Sequence, residues 1–164
     1  LKHTLFVGTL MAATLALAAC STEVRTVPLQ GALAQPGTLE AAPGAPLHRG
    51  AGPVTTSADP SNVAVYFGTQ THPAVQKQLG DVSYSVRIAR GTNDGDRACR
   101  NALGEALRKL RAGARDHAAN AVINVTTRFH STVTDSDNDF TCGLSSSAAA
   151  IAVHGDFVVL ETNQ

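Results

Sequence analysis

The stretch that decides the fold runs from Asp96 to His130, "DRACRNALGEALRKLRAGARDHAANAVINVTTRFH". In its first two thirds Cys99, Leu103, Ala106, Leu107, Leu110 and Ala114 recur at steps of three and four. Such steps place them on one stripe of a helix. Arg97, Arg108, Arg111 and Arg115 fall away from the stripe, and Glu105 stands one turn before Lys109, where the two can pair. Asp94 or Asp96 supplies the N-terminal cap. Gly104 and Gly113 each cost ~1 kcal/mol of helix propensity relative to Ala. Gly113 flanks the stripe, where close packing on a sheet accounts for it; for Gly104 the sequence offers no reason. After Asn120 the period drops to two. Ile123, Val125, Thr127 and Phe129 alternate with Val122, Asn124, Thr126 and Arg128. The helix feeds a half-buried strand.

The same alternation occurs in "NVAVYFG" (62–68) and "DVSYSVRIAR" (81–90) before the helix, and in "AIAVHGDFVVL" (150–160) after it. In the last of these Ile151, Val153, Phe157 and Val159 alternate with Ala152, His154, Asp156 and Val158. Segments apolar on one face only belong to a sheet with one face covered. The expectation is an α+β fold: a two-layer ββαββ domain over residues 61–164, with one helix packed on a mainly antiparallel or mixed four-stranded sheet.

Composition changes on the N-terminal side. Residues 21 to 60 hold six of the chain's seven prolines, much Gly and Ala, and no sustained apolar period. Such a segment buries too little apolar surface to offset its ordering entropy, so a disordered tether is expected over 20–60. Forty residues of it would span ~35 Å as a flexible coil and up to ~120 Å extended.

The first nineteen residues read as an export signal. Lys2 is followed by an apolar run of Leu5, Phe6, Val7, Leu10, Met11, Leu15 and Leu17, ending on small residues. The run is short of the ~20 residues a membrane-spanning helix needs. It closes on Leu17-Ala18-Ala19-Cys20, which resembles the bacterial lipobox. That resemblance implies removal of 1–19, acylation of Cys20 with acyl chains such as palmitate, and Ser21 as the next residue. Ser at that position implies the outer membrane, periplasmic side, with the lipid as anchor. Each buried methylene contributes ~0.8 kcal/mol, so several acyl chains hold the protein stably.

Lipidation of Cys20 leaves Cys99 and Cys142, an even pair in an oxidising compartment. A disulfide between them would close a loop of ~44 residues, worth ~4 kcal/mol in the chain-entropy model. The chain's formal net charge is zero, aromatic residues make up 4 %, and no Trp is present. Nothing in that balance points to nucleic acid.

Catalytic signatures are missing from the sequence: there is no G-x-S-x-G, no phosphate loop and no H-E-x-x-H. The reading is of a protein that is not an enzyme and takes no cofactor. Asp135, Asp137 and Asp139 alternate as at the start of a calcium loop, but Phe140 and Ser146 replace the Gly and Glu such a loop requires, leaving a solvated hairpin. His130, His154 and Asp156 share a strand parity that would put them on the helix-free face, as weak metal candidates without a ligand-type spacing. Ser83, Ser85, Arg87, Asn124, Thr126 and Arg128 line the same face and form the candidate interaction surface.

"EALRKLRAGARDHAANAVINVTTRF" followed by "AAAIAVHGDFVVL" is similar to two related groups, the YbjQ-like family and the RcsF-like lipoproteins. The likeness lies in the A-x-x-x-x-A-N-A-V end of the helix and a strand with Gly near its middle, and covers roughly residues 62 to 160. The YbjQ-like side implies a metal-binding or self-oligomerising module. The RcsF-like side implies an outer-membrane sensor of envelope stress that works through an envelope protein partner. RcsF-type domains carry two disulfides; here only a Cys99–Cys142 bridge, corresponding to the helix-side one, is available.

Overall fold

The computed structural model describes residues 21–30 and 63–162. The signal segment 1–19, Cys20 and residues 31–60 of the expected tether lie outside them. Among the described residues the elements are β1 (Glu23–Pro28), β2 (Ala64–Phe67), β3 (Val75–Ala89), α1 (Gly95–Asp116), β4 (Ala121–Phe129), β5 (Thr132–Thr134), β6 (Asp139–Leu144) and β7 (Ala148–Leu160). The fold is α+β, with one helix on a mixed sheet. The sheet has seven strands where the sequence suggested four, in the order β1-β6-β7-β4-β2, with β3 on the other side of β7 and β5 against β4.

Strand β7 is the spine. Along one edge it pairs antiparallel with β3, from Val75↔Leu160 to Ala89↔Ala148. Along the other edge it pairs first with β4, from Ala121↔Val158 to Arg128↔Ala152, and then with β6 at Gly143↔Ala150 and Leu144↔Ala149. Among the described strands the only parallel pairing is β2 with β4.

Helix α1 is capped by Asp94, whose side chain accepts from the Arg97 amide at 2.8 Å. That bond, aided by nearby Arg100 and Arg97, holds the Asp94 carboxyl below the usual carboxylate range. Leu103, Leu107 and Leu110 carry the buried stripe, with Ala98, Ala102, Ala106 and Ala114 between them letting the helix approach the sheet closely. A Cβ on Gly113 would run into the Tyr84 ring and Phe157, so close packing accounts for this glycine. Nothing lies within 4 Å of a Cβ at Gly104, and nothing in the structure explains that residue. Two helix-surface expectations change. Glu105 pairs with Arg108 rather than Lys109. Arg111 is half-buried and donates from Nε to the Val63 carbonyl at 3.2 Å, tying the helix to the start of β2, and burial lowers its pKa.

Cys99, in the first turns of α1, is joined by a disulfide to Cys142, with Cα atoms 5.7 Å apart. Cys142 lies outside the last strand, which begins at Ala148. It sits in the middle of β6, a separate strand that the turn at Ser145–Ser147 divides from β7.

The expected tether is corrected at its start. Residues 23–28 pair with β6 rung by rung, from Glu23↔Leu144 to Pro28↔Asp139. Val27 and Leu29 are each only 1 % exposed. Arg25 reaches the helix start and donates to Asp96 at 3.0 Å. Pro28 is tolerated because β1 is an edge strand whose outer side needs no ladder hydrogen bond. The folded domain therefore begins at Glu23, not near residue 61.

A bulge in β4 makes a second correction. Asn124 adopts φ 53°, and the register with β7 shifts between Ile123 and Thr126. The extra residue flips the parity of everything before it. Val122 thus packs in the main core, whereas Ile123 joins Ala121, Val158 and Leu160 in a small second cluster on the other side of the sheet. Gly155 lies across from this bulge, where a Cβ would stand 2.8 Å from Val122 and 3.0 Å from Val125.

Candidate functional site

The helix covers one face of β7 through Ala149, Ile151, Val153 and Phe157. The alternate residues, Ala150, Ala152, His154 and Asp156, point to the opposite face. Register alone then assembles a surface. Ser83 of β3 and Thr126 of β4 flank His154; Ser85 and Arg128 flank Ala152; Arg87 and Gly143 flank Ala150. Five of the six expected face residues, Ser83, Ser85, Arg87, Thr126 and Arg128, therefore stand on neighbouring rungs. The sixth, Asn124, sits on the bulge instead and donates from Nδ2 to Asp156 Oδ2 at 2.8 Å.

The face is polarised along its length. At one end Asp81 stands opposite Asp156, and His154 Nε2 lies 3.7 Å from Asp81 Oδ2. At the other end come Arg87 and Arg128 with His130. His130 packs edge-on against Phe129, ring centroids 4.2 Å apart, and so stays at the basic end. His130, His154 and Asp156 are not brought together, and no group of three or more His, Cys, Asp or Glu suited to a metal occurs among the described residues. Asp137 is also committed elsewhere: its carboxylate accepts from the Thr69 amide at 2.6 Å, closing the turn after β2.

Where β4 leaves β7 and β6 takes its place, the face deepens into a groove of about 470 Å³. Its floor is Ala150 and Ala152, its walls are Arg87 on one side and Arg128, Phe129 and His130 on the other. Phe129 was expected in the core. It instead lies over β6, against Gly143, where any Cβ would run into its ring. Thr127 holds this crossing in place, its hydroxyl accepting from the buried Thr141 amide at 2.8 Å. The groove continues past Gly143 and Ala148 to the Ser145–Ser147 turn, where Ser21 and Thr22 close its end. Among the described residues no carboxylate lines either part. The sequence signals for it were faint: the alanine run at 148–150 and the polar turn "GLSSS".

The remaining edge of the surface is β3. It is fifteen residues long and pairs only with β7 among the described strands, leaving its outer edge unpaired. Its regularity is broken by register shifts on either side of Gln78 and by Gly80 at φ 124°. Bulges of this kind discourage indiscriminate strand pairing.

No family model matches the chain, and no curated protein matches it. Among solved structures it is similar to a protein of unknown function of the DUF74 family from Pediococcus pentosaceus. The likeness has a TM-score of 0.41 at 10 % identity, over 60 % of this chain and 98 % of that one. It is too distant to carry fold or function across. No helix among the described residues is long and apolar enough to cross a membrane.

Proposed function

We propose that this chain is a non-catalytic lipoprotein of the bacterial outer membrane, held by acyl chains on Cys20, whose periplasmic domain is a protein-interaction module. The role implied by its RcsF-like resemblance is that of an envelope-stress sensor or accessory. One observation carries the reading. Among the described residues a single helix covers one side of the sheet, and the other side gathers Ser83, Ser85, Thr126 and His154 on adjacent rungs with no described element laid over them. Short hydroxyl side chains with a few charges suit a wet, reversible contact better than a permanent one. The long free edge of β3 adds backbone donors and acceptors that a partner strand can meet.

The test is photo-crosslinking in intact cells with the crosslinker at Ser83 and then at Thr126, which face each other across His154. A single adduct shared by both positions, to one other envelope protein, supports the module and identifies its partner. Adducts of the chain to itself replace the sensor with a self-oligomerising module. No adduct at either position overturns the use of this face.

A further inference from the structure

Resting on the reading of Cys20 as the acylated residue, the geometry points to how the domain meets its membrane. We infer that it stands on the bilayer by the Ser145–Ser147 end, with the groove beside Arg87 and Arg128 seating the phosphate headgroup of an anionic lipid.

The link between the acylated residue and the fold is short. Strand β1 is ladder-paired from Glu23 onward, so only Ser21 and Thr22 separate the acylated residue from the rigid domain. Three Cα steps reach at most ~11 Å. The Pro-rich residues 31–60 follow β1 and do not lie between the anchor and the fold, so they cannot set the standoff. A tether of 20–60 would have let the domain range tens of ångströms away; a two-residue link holds this end of the sheet at the headgroups.

Ser21 and Thr22 lie against the Ser145–Ser147 turn and line the end of the groove themselves. The acyl chains thus enter the membrane beside that groove. Arg87, Arg128 and His130 line the groove with no acid among them, while Asp81 and Asp156 lie further along the face. On this face the basic groups stand at the anchored end and the acids further along, while Glu23 and Asp96, on the helix side of the anchored end, are paired with Arg25; such a face suits a negatively charged surface. Thirteen residues of β7 then raise the opposite end, at Val75 and Leu160, ~40 Å above the anchored one. The lipid-facing half of the open face, Arg87 and Arg128, is thereby separated from the partner-facing half around Ser83 and Thr126.

The experiment uses the full chain purified from membranes. Mass spectrometry of the N-terminal peptide first reads acylation of Cys20. The acylated protein is then placed in vesicles of phosphatidylethanolamine, with or without phosphatidylglycerol, containing lipids spin-labelled at the headgroup. A fluorescent residue at Ser146 is expected to be quenched with phosphatidylglycerol present, and one at Gln76 to stay bright. Arg87→Gln with Arg128→Gln, both on exposed side chains, should lower the docked-to-undocked ratio about 30-fold, about 5-fold for each arginine. An acylated chain whose Ser146 stays bright, or whose quenching ignores the two substitutions, overturns this inference alone. A peptide without an acyl group overturns the anchor reading and this inference with it.

Discussion

The two faces of β7 have opposite characters, although their residues alternate along one strand. On one face Ala149, Ile151, Val153 and Phe157 meet the helix, beside a disulfide that pins helix to sheet. On the other, Ala150, Ala152 and His154 meet serine, threonine and arginine from β3 and β4. The buried core takes one parity, and the recognition proposed above takes the other. A substitution one position along therefore changes which property is lost, and that is what the following variants test.

The largest effect is expected from the covered face. Reduction of Cys99–Cys142, or Cys99→Ser with Cys142→Ser, opens a loop spanning 43 residues and should lower unfolding stability by about 4 kcal/mol, read as a fall in the urea midpoint. Leu110→Ala, at a fully buried position, should cost about 3 kcal/mol by the same measurement, since the lost side chain leaves a cavity under the sheet. A cost below 1 kcal/mol would mean the helix is not seated as described. Gly155→Ala should cost about 1–3 kcal/mol, because its Cβ meets two β-branched side chains and the Ile123 carbonyl, none free to swing away. If it is neutral, the bulge at Asn124 is not where the structure places it.

The smallest effect is one of pH. Asp94 is held below its ordinary value of 3.8, first by the Arg97 amide, so folding binds fewer protons there than unfolding does. Its contribution is complete above that ordinary value and is lost as pH falls through the lower folded-state value. Asp94→Asn keeps the cap without the charge. Its helical signal should therefore fall less than the parent's on acidification below pH 3.8. An equal fall in both would remove Asp94 from the account.

The helix and the four main strands were legible because long periodic segments carry their signal locally. The less visible elements depend on partners distant in sequence. Strand β1 has one buried apolar residue, Val27, with Leu29 buried just beyond its end at Pro28, so its composition reads as linker; only pairing with β6 makes it a strand. Strand β6 alternates Phe140, Cys142 and Leu144 with Thr141 and Gly143, but both of the latter are buried too, beneath the end of β4. The run Ala121-Val122-Ile123 is apolar at every position, so alternation could not reveal which side Ile123 takes, and the bulge at Asn124 reversed it. Most of the interaction face was readable because parity from Thr126 onward is undisturbed. The groove was not, since it arises where β4 departs and β6 arrives, a three-strand junction without local signature.

The most direct test of this division is a paired reading of abundance and adduct in cells, with the photo-crosslinker kept at Ser83. Thr126→Arg and Ser85→Arg lie on the open face, and Leu110→Ala lies under the helix. The two arginine variants should keep the parent's abundance and lose the adduct. Leu110→Ala should lose abundance yet keep the adduct per molecule remaining. Adduct yield that survives both arginine substitutions, or falls only in step with abundance, would contradict the claim that recognition resides on the uncovered face.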